Sequence, residues 1–473
     1  MKRLINLAAG LAASMTVAAG AAHAAAAPAR GLPSQWTVYS GDIEHDSAFK
    51  APAGAAGAAL NKGVTWRFAE ANALKLSDKL GKDAAALGPR TAPVKTTQFL
   101  GNAVGVTVVG DVVYVESDSG YVYALNAVTG RQIWRAPVDN AAMGDPVVVD
   151  GRVFVGTGDT GFSFSQILRA QSGSRAGLVR GLSWGGIYAF DAKTGKQLWR
   201  FGTRGENMPS ECYADNTLYF GNGDGHMYAL DPATGTLKWK TPIGGFDSMS
   251  SCTIYQGKVF AGFTDPNDLA AVDLHSGKLV WRATFPNVAN TGMGDNSPTV
   301  DPVNHQIVQV AVANARVTGG KSSVNTAVLG VDARTGKVNW KTLLGRGASP
   351  PAYKASVAMV HGGIVYVSSP VTNRLYALNG KTGAIVWQSA IPYPQVPGLG
   401  RGAVTFDNGL LYQSTGTRLF AWNAKTGALV HTLRIGGRFG IVNPVIVGNT
   451  MFVSNSWGWV FALPVATVAG SKA

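Results

Sequence analysis

A short phrase returns seven times along this chain, and few folds can accommodate such a repeat. It reads Ala124-Leu125-Asn126-Ala127-Val128-Thr129-Gly130-Arg131-Gln132-Ile133-Trp134 at its first occurrence. At its second it reads Ala189-Phe190-Asp191-Ala192-Lys193-Thr194-Gly195-Lys196-Gln197-Leu198-Trp199. Further copies end at Trp239, Trp281, Trp340 and Trp387, and a weaker one carries His431 in the Trp position. The glycines of the seven copies (Gly130, Gly195, Gly235, Gly277, Gly336, Gly383, Gly427) are spaced by 65, 40, 42, 59, 47 and 44 residues. A base period of about 40–45 residues is the signature of a β-propeller blade, a unit of four short strands that buries its faces only against its neighbours.

Each unit has the same internal order. An inner strand such as 146–149 turns at Asp150-Gly151 into a second strand, 152–155, and a third ends in the Tyr-Ala-Leu type segment. Asp/Asn-x-x-Thr-Gly follows, its glycine free to take the positive φ of a hairpin turn. The fourth strand ends on Trp, large enough to pack between neighbouring blades. The strands predicted at 444–447, 450–455 and 459–463 end the chain without a Thr-Gly-Trp strand, which residues 63–68, with Trp66, can supply. The expected fold is therefore all-β: an eight-bladed propeller of four-stranded antiparallel blades over 62–465, its ring closed by the N-terminal strand so that no sheet edge is left free. Residues 25–61 are expected to be an extension and 466–473 a tail.

The repeat resembles that of the pyrroloquinoline-quinone-like (PQQ-like) propeller family, Ala-Leu-Asp-x-x-Thr-Gly-x-x-x-Trp, over roughly residues 62–464. The opening Gln35-Trp36-Thr37-Val38-Tyr39-Ser40-Gly41-Asp42 is similar to the N-terminal lead of quinoprotein dehydrogenases. This fold hosts enzymes and scaffolds alike, so function has to be read from a site.

The first residues read as a secretory signal. Lys2 and Arg3 precede an apolar run, and Ala22-His23-Ala24 offers a small-x-small cleavage site. Cleavage after Ala24 lowers the net charge from +14 to +12, and no cysteine lies nearby to take a lipid anchor. No later apolar run reaches the roughly 18 residues of a spanning helix, so a soluble periplasmic or secreted protein is expected. A basic surface attracts small multivalent anions. Without aromatic–basic alternation or a recognised binding module, nucleic acid is not expected as a partner.

Two motifs mislead. Gly156-Thr157-Gly158-Asp159-Thr160-Gly161 matches a dinucleotide fingerprint but opens no helix to receive a pyrophosphate. Gly181-Leu182-Ser183-Trp184-Gly185 lacks the strand-to-helix framework of a nucleophile elbow. The seven histidines show no zinc spacing, and no metal site is expected. Cys212 and Cys252 lie about one repeat apart. In an oxidising compartment that spacing admits a disulfide between consecutive blades or two separate thiols.

A propeller gathers the loops leading into its inner strands at one mouth of the central channel, where a site would form. Those loops read Met143-Gly144-Asp145, Met208-Pro209-Ser210-Glu211, Met249-Ser250-Ser251, Met293-Gly294-Asp295-Asn296, Tyr353-Lys354, Gly400-Arg401 and Gly437-Arg438. Acids stand on one arc and cations on the other. The chemistry this suits is an anion held by Lys354, Arg401 and Arg438 beside a working carboxylate. Asp295 at the boundary of the arcs is the expected acid–base group, with Asp145 and Glu211 as secondary candidates. Ser250, Met293 and Asn296 are expected to touch substrate, the methionines as soft, polarizable contacts. Two insertions, near 162–184 and 314–325, are expected to be a lid or a subunit contact, and a homodimer is expected.

Within the PQQ-like family the chain resembles the tetrathionate hydrolases, on its length, basic charge, inserted blade and the segment 294–298. That resemblance implies an exported hydrolase of a small sulfur oxyanion, giving thiosulfate, sulfate and sulfane sulfur, with no cofactor. Two alternatives come from the same family. A PQQ- and Ca²⁺-dependent alcohol dehydrogenase would carry a Trp before its catalytic Asp, where this chain has Met293-Gly294, and the vicinal cysteine pair of many such enzymes is missing. The outer-membrane assembly scaffold is a lipoprotein without such insertions.

Overall fold

The computed structural model describes residues 30–70, 105–117, 120–158, 179, 181, 185–247, 249–264, 268–288, 296–350, 355–392, 402–437, 439, 443–455 and 458–471. The strands of these residues assemble into eight sheets, seven of four strands and one of six. Within each four-stranded sheet the strands pair antiparallel in chain order, as in Cys212–Ala214, Thr217–Gly221, His226–Leu230 and Leu237–Pro242. The sheets are numbered here in chain order, from the one that starts at Thr107–Val109 to the one that starts at Val445–Val447. In the eighth, Trp66–Ala69 pairs antiparallel with Trp459–Pro464, and Ala48–Lys50 adds in parallel to Val445–Val447.

The repeated phrase does three jobs at once. Its Asp or Asn caps the turn: Asp231 Oδ1 accepts from the backbone N–H of Ala233 and Thr234 at 2.9 and 3.0 Å and from the Thr234 hydroxyl. Its glycine takes a φ of 72° at Gly235 and leaves room for the indole of the sheet before, since a Cβ there would stand 2.7 Å from Trp199. Its Trp reaches into the next repeat, Trp199 donating its Nε1–H to the Pro232 carbonyl at 3.1 Å. The same pair of contacts runs from Trp66 on Gly130 and Ala127 to Trp387 on Gly427 and Ala424. In the last step His431 stands in for Trp: it packs on Gly470, with Nδ1 3.2 Å from the Val468 carbonyl.

The residues read as a tail are thus structural. Val465–Ala469 forms a short helix whose Val468 is buried, and the turn after it supplies Gly470. The N-terminal extension is woven in as well. Between Trp36 and Phe49 the backbone bonds to Val148, Tyr213, Val300, Val360 and Ile446, and Asp46 accepts from the Phe406 N–H. Six sheets thereby have the exposed edge of their first strand satisfied by one strap. The second insertion is strand rather than loop. Sheet 5 lengthens to Gln306–Thr318, Lys321–Asp332 and Val338–Ala348, against about six residues per strand elsewhere. Most of the first insertion, 162–184, lies outside the described residues.

Apolar alternation on the strands fills the spaces between sheets. One cluster joins Trp66, Val106, Val445 and Phe452, so the first and eighth sheets pack on each other. Cys212 and Cys252 form a disulfide between sheets 3 and 4, with Cα atoms 5.7 Å apart.

Candidate active site

Strand register identifies which loop residues are equivalent. Thr107, Val147, Cys212, Thr253, Thr299, Met359, Thr405 and Val445 hold the same pairing position in sheets 1 to 8. Two residues earlier, one layer consists of Gly105, Asp145, Ser210, Ser251, Ser297, Val357, Ala403 and Asn443. Tyr39 of the strap packs against this layer and the methionines, clustering with Met249, Val357 and Ala403, with Met143 beside them. Its hydroxyl donates to Asn443 Oδ1 at 2.9 Å. Met143, Met208 and Met249 fall four residues before the pairing position in sheets 2 to 4.

Three carboxyl groups lie buried beside one another. Asp145 accepts from the Ser40 N–H at 2.9 Å, in a strap residue held at a φ of 61°. Burial pushes its carboxyl up to about 7, against the pull of the Ser40 and Gly105 N–H groups. Glu211 is fully buried, with no partner for its carboxyl oxygens on any other described residue, and burial raises it to about 8 against the pull of its own backbone N–H. Glu116 accepts from the Gly144 N–H at 2.6 Å. Burial, and then the charges of Glu211 and Asp145, hold it well above the usual carboxylate range. Such groups keep a proton to give near neutrality. His45 goes the other way: desolvation lowers it to about 4, so the imidazole is neutral beside the Ala358 carbonyl.

Two of the residues expected to touch substrate are among the described ones. Ser250 is buried, its hydroxyl donating to the Asn296 carbonyl at 3.1 Å while accepting from the Gly262 N–H at 2.8 Å. Asn296 is buried too, its Nδ2 bonded to the Val310 carbonyl at 2.9 Å. Both side chains brace the backbone of their loops. Asp295, Met293, Lys354, Arg401 and Arg438 lie outside the described residues. Among the described residues no group of three or more His, Cys, Asp or Glu side chains could hold a metal ion. Sequence reasoning missed Glu116, Tyr39 and the serines. Glu116 was detectable in principle: it occupies the place of Gly156, Gly221 and Gly262 in sheets 2 to 4 and of Val310, Ser368, Ser414 and Ser454 in sheets 5 to 8, the one acid at that position.

Comparison with known proteins fits this arrangement. The repeat family described as outer membrane protein assembly factor BamB matches residues 59–253 and 250–398. Among curated proteins, the tetrathionate hydrolase of Acidithiobacillus ferrooxidans is 39% identical, covering 92% of this chain and 87% of that protein. The tetrathionate hydrolase of Acidianus ambivalens is 35% identical over 93% and 85%. Among solved structures, BamB from Moraxella catarrhalis shares 16% identity at a TM-score of 0.57, covering 78% of this chain and 98% of that one. The quinohemoprotein alcohol dehydrogenase of Comamonas testosteroni shares 15% at 0.52, covering 94% and 82%. The structural likenesses carry the β-propeller fold alone, while the sequence relatives carry the family. By these sequence relatives and the matching repeat model, the chain belongs to the tetrathionate hydrolase family, within the wider BamB-like repeat family.

Proposed function

We propose that this protein hydrolyses tetrathionate at the channel mouth of an eight-bladed ring, using its own side chains and no cofactor. The observation that carries the reading is the 39% identity to a tetrathionate hydrolase across 92% of the chain. The eight sheets, the pairing of Trp66–Ala69 with the last strand and the stacking of Trp66 on Gly130 support a ring closed by the N-terminal strand. The leader over 1–24 supports export to the periplasm or beyond. A homodimer is the assembly we expect, with the lengthened hairpin of sheet 5 as an available contact.

Tetrathionate is a dianion of four sulfurs ending in two sulfonates. Water adds its oxygen to one sulfonate sulfur, which leaves as sulfate. The S–S electron pair departs with the remaining three sulfurs, which resolve into thiosulfate and one sulfane sulfur, and two protons are released overall. Lys354, Arg401 and Arg438 hold the sulfonate oxygens, Arg offering paired N–H donors. Asp295 orients the water or protonates the leaving sulfur, and Asp145 and Glu211 are the acids next in line. A neutral acid avoids repelling the dianion. Reaction in ¹⁸O-labelled water tests this: one label per sulfate and none in thiosulfate is expected, and Asp295→Asn should lose at least about 100-fold in kcat. Unlabelled sulfate, or full turnover by Asp295→Asn, would contradict the mechanism.

A further inference from the structure

Gly105, Asp145, Ser210, Ser251 and Ser297 are joined by hydrogen bonds that all run in one sense. The Gly105 N–H donates to the Asp145 carboxyl. The Asp145 N–H donates to Ser210 Oγ at 2.6 Å, the Ser210 N–H to Ser251 Oγ at 3.0 Å, and the Ser251 N–H to Ser297 Oγ at 3.0 Å. Each bond crosses from one sheet to the next, and all five residues are buried. A second tier braces the far end: Ser250 Oγ and Gln309 Nε2 both donate to the Asn296 carbonyl, at 3.1 and 2.9 Å.

Packing alone does not require these hydroxyls. The same layer holds Val357 in sheet 6 and Ala403 in sheet 7, which have no side-chain acceptor to offer. The chain of bonds is confined to the arc whose loops bear Asp145, Glu211 and, one residue before Asn296, Asp295. Neighbouring mouth loops are tied by the bonds that cross between sheets, here the serine bonds together with the Cys212–Cys252 disulfide beside the Ser210–Ser251 rung; the Ser251–Ser297 rung has no such covalent partner.

We propose that Ser210, Ser251 and Ser297 form a hydroxyl rail that fixes the spacing of the acid-bearing loops about the channel, with Ser251 at its centre as a positioning residue for hydrolysis. The inference rests on the tetrathionate reading and on Asp295 as its acid. Loss of one rung lets adjacent loops slide, and small misplacements of a working group are expensive in rate. Substrate capture by the cationic loops of sheets 6 to 8 lies off the rail and is unaffected.

The test uses the full-length protein with tetrathionate, comparing Ser251→Ala, Ser251→Thr, Ser297→Ala and Asp295→Asn, each first shown folded at the assay temperature by thermal melting. Ser251→Ala and Ser297→Ala are expected to lose about 10-fold in kcat at unchanged KM, and Ser251→Thr, which keeps the acceptor, to recover most of it. Ser297→Ala gives the answer if Ser251→Ala does not fold. Wild-type kcat in a folded alanine variant, with Asp295→Asn inactive, overturns the rail and leaves the hydrolytic reading standing. Wild-type turnover by Asp295→Asn overturns the acid assignment on which the rail rests.

Discussion

Glu211 sits in a slot that the other sheets fill with Val106, Pro146, Cys252, Pro298, Ala358, Val404 and Pro444. A carboxyl in an apolar position keeps its proton, and this one has Glu116 and Asp145 near it. Folded-state values above the unfolded ones mean that the native protein binds more protons than the unfolded chain. Stability from these groups is therefore complete below about pH 4 and is lost as pH rises through about 7 to 8. Melting temperature should fall over that window, and Glu211→Gln should flatten the fall; an unchanged pH profile in the variant would remove Glu211 from the explanation. From sequence, Asp145 and Glu211 could be picked out as channel acids, but not their burial, which depends on the Ser40 strap and on the glycines of the neighbouring sheet. A polar residue in a mouth loop, such as Ser250 or Asn296, looks alike in sequence whether it faces a ligand or braces a backbone.

At the scale of the strand and turn, the Gly–Trp contact is the unit that the repeat conserves along the chain. Gly235 combines a φ of 72° with an indole 2.7 Å from where a Cβ would be. Gly235→Ala should destabilise the protein by about 2 kcal/mol or more, through backbone strain and displacement of Trp199. A melting temperature within about a degree of wild type would contradict this role. Seven of these turns were plain in the sequence because Asp or Asn, Thr or Ser, and Gly keep fixed spacing there, with Trp four residues further on in six of them. The eighth was not, since His431 and Gly470 fulfil the same contact from a helix with no Thr-Gly phrase. Nor did the sequence reveal that the strands around 314–325 simply continue. Asn314 and Gly319-Gly320 resemble loop residues, yet they serve as a bulge and a turn in one long hairpin.

For the molecule as a whole, an excess of 41 Lys and Arg over 27 Asp and Glu meets a dianionic substrate. Long-range attraction of that kind is screened beyond about 8–10 Å at ordinary salt. The kcat/KM for tetrathionate should accordingly fall as ionic strength rises while kcat holds; an unchanged kcat/KM would mean that capture is governed by local contacts alone. The strap from Trp36 to Phe49 makes six sheets depend on one short segment, and nothing in its composition announced that. The most direct measurement is thiosulfate and sulfate release from tetrathionate by purified, metal-stripped protein with no quinone added. Steady turnover is expected. No release, together with dye reduction by an alcohol once PQQ and Ca²⁺ are supplied, would contradict it and make the protein a dehydrogenase.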